Sequence, residues 1–450
     1  MQNLGQIRVL VIGAGLAGSE ASMFLAKNGI EVILIEAKTI QLNPAQKNPD
    51  FAELVCTNSL KSLDPHSAHG LLKSEMSALG SFVIEVAQKH AVPAGDALAV
   101  DREKFSAEIT LQLKNHPLIK VVELEASDPI ELKKQYKCDF VIIATGPLTT
   151  KKLEDWILKE ISNDDFYFYD AIAPVVDADT LDLSRMYFKD RHKNIEEGGD
   201  YLNSPMTKEE YYHFIQELAN GEKVQPKAFE DWKFFESCLP IDLMAERGPD
   251  TARFSCMKPV GLEPDINGKW PYAVVQLRKE NLLGSAYNLV GFQTRLTYKE
   301  QVRIFRMIPG FENASFIHLG SCHRNSFLNA KKLLNIDLSS QKHPDIYFAG
   351  QITGVEGYTE SASMGLYVAF QVLRKVQGME PLKFPVETAM GALVHYIMTI
   401  EKPCPSNINF GLLPNIEFSR EQKKTGGKKL KKELIAKRAQ EVFQSFQSSI

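Results

Sequence analysis

The 450-residue sequence has no apolar run approaching the ~18 residues that span a bilayer, so no membrane-crossing helix is expected. Cysteine is scarce: Cys56, Cys138, Cys238, Cys256, Cys322 and Cys404 are the six, and no two form a C-x-x-C pair. That spacing argues against a disulfide scaffold, a zinc site or an internal dithiol, so no metal is expected and each thiol is judged singly. Ahead of the first strand-like run, IRVLVIG from Ile7, there is no room for a charged region, an apolar core and a cleavage site. A cytoplasmic protein is therefore expected.

What is present describes a soluble globular protein, 44% hydrophobic and 24% charged, long enough for two or three domains. Its net charge of −4 conceals an asymmetry: residues 420–438 hold nine Lys or Arg against two Glu, a local +7 that leaves −11 elsewhere. Leu430, Leu434, Ile435, Val442, Phe443 and Phe446 recur there at spacings of three and four. The spacing predicts an amphipathic helix that docks one face and presents lysines, among them Lys428, Lys429, Lys431 and Lys432, to a polyanion or only to solvent.

Residues 7–36, IRVLVIGAGLAGSEASMFLAKNGIEVILIE, read as strand, glycine turn, helix, strand and terminal acid. Gly13-Ala14-Gly15-Leu16-Ala17-Gly18 fits G-x-G-x-x-G: two glycines let the backbone turn and approach a pyrophosphate, and the third lets helix and strand pack closely. Glu36 ends the second strand, where a carboxylate can accept ribose hydroxyls. Downstream, CDFVIIATG gives a strand ending in Ala144-Thr145-Gly146, and DIYFAGQITGVEGYTESASMGLYVAFQVL repeats strand, glycine turn and helix around Gly350-Gln351. Together these resemble flavoproteins of the glutathione-reductase type, in which the corresponding segments complete an FAD site. No second G-x-G-x-x-G follows a strand between residues 147 and 345, so NADH or NADPH would visit without a Rossmann unit of its own.

The expected fold is α/β: a glutathione-reductase-type FAD-binding Rossmann domain, residues 1–150 and 326–418, interrupted by an inserted α+β domain at 151–325 and followed by a basic helix at 419–450. Within the insert, Cys238 follows the strand-like run WKFFES and precedes Leu239-Pro240 and a short helix, IDLMAER, stopped by Gly248. With Arg247, Arg253 and Lys258 nearby in sequence it is a candidate nucleophile, although a buried structural thiol is the commoner case. Cys138, in the middle of KCDFVII, reads as such a buried residue, and Cys404, between two prolines, as a loop residue. Cys322 precedes His323, a weak hint of a Cys–His pair, and Cys256 stays unassigned.

The ordered motifs GAGLAGSEA, FAELVCTNSL, LAVDREKFS, VIIATGPLT, FFESCLPID, MKPVGL, CHRNSF and FAGQITGVEGYTESASMGL are similar to those of the bacterial TrmFO family of FAD- and folate-dependent tRNA (uracil-5-)-methyltransferases, from Ile7 to about Pro414. The resemblance implies that a one-carbon unit passes from 5,10-methylenetetrahydrofolate by way of FAD to carbon 5 of a T-loop uridine, with NAD(P)H as electron source. It also implies that Cys238 adds to carbon 6 of the uracil, while Cys56, the cysteine of FAELVC, helps to remove the carbon 5 proton. Departures occur at Thr57 and Lys61, where similar sequences usually read Ser and Arg, at Ser255 and Cys256, and at Cys322. They leave a uridine of large-subunit ribosomal RNA open as the target. A non-catalytic RNA-binding flavoprotein is the alternative from another class. The related wobble-uridine flavoproteins, which need a GTPase partner, fit less well because the C-terminal segment is short. No oligomeric state follows from the sequence.

Overall fold

The computed structural model describes residues 7–42, 46–162, 167–171, 173–191, 199–224, 239–263, 270–280, 284–320, 322–401, 405–417 and 427–449, without the side chains of 167–171, 322–325 and 427–429. Cys238 and Cys404 lie outside the described residues. A five-stranded parallel sheet has the order Ile346–Phe348, Phe140–Ile143, Arg8–Ile12, Glu31–Glu36, Ile119–Glu123. Its strands are near-continuous apolar runs because both faces are covered; Val9, Leu10, Val11, Val141, Ile142 and Ile143 are fully buried.

The chain reverses its direction of winding at Arg8–Ile12, whose neighbours are Glu31–Glu36 on one side and Phe140–Ile143 on the other. A crevice therefore opens beyond the carboxyl ends of these strands, the usual position for a ligand in an open α/β sheet. Glu36, Thr145 and Gly350 all follow or close strands at that edge. Across one face, the helix Leu16–Lys27 lies against Tyr358–Val376 so closely that a Cβ at Gly365 would stand 2.2 Å from the Ala17 carbonyl oxygen.

Two buried carboxylates brace this domain by accepting from the first N–H groups of helices. Glu20 accepts from the Ser81 hydroxyl and the backbone of Phe82 and Val83 at 2.8–2.9 Å. Glu75 does the same for Ala389 and Met390 at 2.6 and 2.8 Å. Burial pushes Glu20 up to about 7 and Glu75 up to about 8, against the downward pull of those donors.

A second core, from Val176 to Ala314, surrounds a six-stranded antiparallel sheet in the order Tyr187–Phe188, Tyr201–Met206, Ala273–Lys279, Ala286–Leu289, Val175–Asp177, Phe316–His318. The chain enters and leaves this region through a two-stranded ribbon, Tyr167–Ala171 against Cys322–Ser326. Helix Lys208–Asn220 covers the sheet, opened by a reciprocal capping box between Thr207 and Glu210.

The last helix is Gly427–Gln447, and its apolar stripe of Ile435, Ala436, Ala439, Phe443 and Phe446 is buried in the first core. Cys138 is buried as expected. It precedes the Phe140–Ile143 strand instead of standing within it, because Lys137 takes a left-handed turn (φ 53°) after the helix Pro129–Gln135. Among the described residues no helix is long and apolar enough to cross a membrane.

Candidate functional site

One cleft at the carboxyl edge of the parallel sheet is lined by Gly13, Gly15, Leu16, Ala17, Glu36, Cys56, Thr145, Gly146, Gly350 and Gln351. Residues spaced over more than three hundred positions thus share one wall. Ala14 and Gly18 support it from behind. Ala14 is buried and its N–H donates to Glu36 Oε2 at 2.6 Å, and a Cβ at Gly18 would stand 1.8 Å from the Gly13 carbonyl oxygen.

The glycines do two different jobs. Gly13 adopts φ 102°, and a Cβ there would meet the Ala144 carbonyl at 2.7 Å, so it belongs to the turn and its packing. A Cβ at Gly15 or Gly146 would meet nothing within 4 Å. These two positions leave open the space into which a side chain would project. Gly15 is also the N-cap of Leu16–Lys27, which has no side-chain cap and no acidic residue in its first turn. Its leading N–H groups are therefore donors available to an anion. Glu36 is held in place by three backbone N–H groups, from Ala14 to one carboxylate oxygen and from Ala37 and Lys38 to the other at 2.8 and 2.9 Å. Such an open glycine cradle, donor-rich helix start and oriented carboxylate fit an adenine dinucleotide, with Glu36 toward ribose hydroxyls.

Cys56 lines the same cleft, half-buried, in a segment clamped from three directions. From the late helix, the Tyr358 hydroxyl accepts from the N–H groups of Cys56 and Thr57 at 2.6 and 3.1 Å. Burial raises the Tyr358 hydroxyl above the usual tyrosine range, so it remains a phenol. From the helix Arg102–Asn115, Arg102 donates to the carbonyls of Leu54 and Cys56 while its guanidinium grips Glu280 of the insert at 2.5 and 2.9 Å. From the inserted sheet, Arg278 donates to Asn58 Oδ1 at 2.8 Å and to the Thr57 hydroxyl, and Asn58 donates to the Lys279 carbonyl at 2.8 Å. Thr57 thus keeps the hydroxyl that Ser would offer, and uses it.

A charge cluster around one buried carboxylate forms another part of the wall through Lys61 and Glu360. Glu360, in the first turn of Tyr358–Val376, is 0% exposed and lies 3.8 Å from Lys61 Nζ and 3.4 Å from His69 Nδ1. Burial alone would raise its carboxyl; Lys61 and the hydrogen bond from His69 overcome that and hold it at about 2. Lys61 preserves the cation that Arg would supply. Across the interface with the insert, burial, Lys47 and Arg102 lower His318 to about 4, so it is neutral at physiological pH.

Tyr358, Glu360, His69, Arg102, Glu280 and Arg278 were not singled out from the sequence. Tyr358 and Glu360 stood inside the GYTES motif and Arg102 inside VDREK, so motif membership was the only signal. Cys256 is half-buried, and burial pushes its thiol up to about 12, which suits a packing role. Cys322 and His323 are backbone neighbours in the ribbon strand. Lys432 is exposed, 6.0 Å from the Phe410 ring, and Lys431 is half-buried.

A sequence model of the family described as "Glucose inhibited division protein A" matches residues 8–380. The "Methylenetetrahydrofolate--tRNA-(uracil-5-)-methyltransferase TrmFO" of Aquifex aeolicus is 49% identical over 440 residues, covering 98% of this chain and 96% of that one. The protein of the same name from Enterococcus faecalis is 47% identical over 437 residues, 97% of each. Aquifex aeolicus GidA in its form II crystal shares the fold, with a TM-score of 0.65 over 99% of this chain and 74% of that one at 15% identity. The expected fold class, an α/β Rossmann domain with an α+β insertion, is borne out by the parallel sheet and this likeness.

Proposed function

The chain belongs to the TrmFO family of methyltransferases, within the group described as glucose inhibited division protein A, and from that premise we propose a folate-dependent tRNA (uracil-5-)-methyltransferase that uses FAD and is reduced by NADH or NADPH. The observation that carries the reading is that Cys56 lines a single cleft with Gly13, Gly15, Gly146 and Gly350. A thiol with a role in uracil chemistry must open onto the cleft that would hold the flavin, and Cys56 lines that cleft. The proposed target is the T-loop uridine.

When bound, FAD would supply the carrier and hydride chemistry that converts a methylene into a methyl group. The protein's share is binding, orientation and proton transfer. Gly13, Ala14, Gly15, Leu16, Ala17, Gly18, Glu36, Thr145, Gly146, Gly350 and Gln351 are assigned to holding the cofactor. Carbon 5 of uracil is a poor nucleophile until a thiolate adds to carbon 6, and Cys238, outside the described residues, is assigned that step. Cys56 is assigned removal of the carbon 5 proton. The clamp of Tyr358, Arg102 and Arg278 limits the backbone freedom of the Cys56 segment, which proton transfer at a fixed atom requires. Lys428, Lys429, Lys431 and Lys432 are assigned to RNA phosphates.

Incubation of the purified protein with NADPH, methylene-labelled folate and unmodified transcripts tests the reading. Label in 5-methyluridine of the tRNA T-loop is expected. Label in a large-subunit ribosomal RNA transcript and not in tRNA would overturn the target, and label in neither would overturn the activity.

A further inference from the structure

Beyond the thiols and the cofactor cleft, the insert carries an aromatic surface that the proposed reaction does not use. Phe254 is 72% exposed and Trp270 63%, the highest values among the large apolar side chains of the described residues. A single exposed ring needs no explanation. Phe254 lies beside one arginine, Arg253, and Trp270 stands two residues before Tyr272, the ring on which that arginine stacks. Arg253 stacks its guanidinium 4.1 Å from the Tyr272 ring centre and 5.5 Å from that of Phe254, and donates to the Tyr272 carbonyl at 2.9 Å. The base beneath is rigid: Tyr211, Tyr212 and Tyr272 pack with ring centres 5.4–5.6 Å apart. The Tyr212 and Tyr272 hydroxyls share a 2.8 Å hydrogen bond. Exposed Lys258 lies on the adjoining loop, whose Lys258 and Val260 carbonyls accept from Arg191.

We propose that Phe254 and Trp270, joined through Arg253 and Tyr272, form a platform on which unpaired bases of the RNA loop carrying the target uridine stack. The inference rests on the RNA-modifying reading above and deepens it. Two exposed π-faces, a stacked guanidinium and a nearby lysine match a base and its phosphate. The helix Ile241–Arg247 starts three residues after Cys238, and the turn Ala252–Phe254 follows it directly. The Phe254 end of the platform therefore follows the assigned nucleophile closely in sequence. Addition to carbon 6 needs the uracil out of its stack, and bases beside it lose a stacking partner when it leaves. Protein rings at that place would replace the lost partner.

The test uses the full-length protein and two probes, an RNA hairpin with a single-stranded uridine-containing loop and a blunt duplex of the same stem. Phe254→Ala and Trp270→Ala are each expected to weaken hairpin binding by about fivefold or more, to leave duplex binding unchanged, and to leave the salt slope unchanged because stacking neutralises no phosphate. Trp270→Phe should restore most of the affinity. In the wild-type protein, hairpin binding should protect the emission that Trp270→Phe removes from iodide quenching, a readout that needs no destabilised variant. Wild-type binding with equal hairpin affinity in both alanine variants, or loss of self-association in place of RNA binding, would overturn the platform while the RNA-modifying reading stands. Failure of the wild-type protein to bind either probe would remove that reading and the platform with it.

Discussion

The molecule contains two strand–glycine–helix turns at the same sheet edge, and they are finished differently. The first, Ile12 to Leu16, leaves its helix start bare: no side-chain cap, no acid in the first turn, and open space at Gly15. The second, Phe348 to Tyr358, also begins its helix on a glycine, Gly357 at φ 114°, but places Glu360 in the first turn, fully buried and ionised. A helix start attracts negative charge. The first turn leaves that attraction for a ligand, and the second satisfies it with its own carboxylate and uses the adjacent Tyr358 to hold the Cys56 segment. Similar local sequence therefore leaves helix donors open in one place and positions a neighbouring segment in the other.

The largest effect expected from breaking this contrast is at Gly15. Gly15→Val should abolish flavin absorbance in the purified protein while far-ultraviolet dichroism and the apo melting temperature change little, because its Cβ meets no protein atom. Gly18→Ala should do the opposite and destabilise the fold, by about 1–3 kcal/mol or more, since its Cβ collides with backbone. Full flavin occupancy in Gly15→Val would remove the cofactor assignment.

The thiols give the next effect. Cys238→Ala and Cys56→Ala should both lose methyl transfer by at least about a hundredfold while retaining FAD and its reduction. They should differ with 5-fluorouridine RNA, which has no carbon 5 proton to lose. Cys56→Ala should still crosslink, through Cys238, and Cys238→Ala should not. Peptide mass identifies the attached sulfur; an adduct on Cys56 would exchange the two roles.

A smaller effect tests the second turn. The Glu360 carboxyl lies at about 2 against an ordinary 4.5, so its folded form is depressed. It contributes stability above about pH 4.5, on the order of 3 kcal/mol, and loses it as pH falls through about 2. Glu360→Gln should flatten that part of the acid-unfolding curve. If the curve between pH 5 and 2 is unchanged, Lys61 and His69 do not hold the carboxylate as the geometry indicates.

How much of this was legible follows the same division. Gly13, Gly15, Gly18 and Glu36 lie within thirty residues of one another, so their spacing alone recorded the geometry of the turn. Tyr358 reaches Cys56 across 302 residues and Arg102 reaches Glu280 across 178. No local period records such a pairing, and only membership in a family motif pointed to these residues. Cys138 shows the limit in the other direction: its burial was readable from composition, but the left-handed Lys137 that ends the preceding turn shifted the strand start past it.

The smallest expected effect concerns the basic helix, and its packing decides how to test it. Truncation after Ser419 would remove Ile435, Phe443 and Phe446 from the main core and so confound RNA binding with lost stability. The helix also braces the second turn. It packs on Ala68–Ala78, which carries His69, and Lys432 lies over Phe410, two residues beyond Ile408, whose N–H donates to Glu360 at 3.1 Å. Charge must therefore be removed without removing the stripe. Lys428, Lys429, Lys431 and Lys432 changed together to Gln keep the buried stripe and lose the Lys432 contact with Phe410, so melting should fall far less than on truncation and NAD(P)H oxidation should be unchanged. The same change should reduce the salt slope of RNA binding by up to about 0.9 for each phosphate no longer neutralised on a duplex, or about 0.7 on a single strand. A slope equal to that of the wild-type protein would make the helix a brace for the second turn alone, and would move the phosphate-binding role to the cations of the insert.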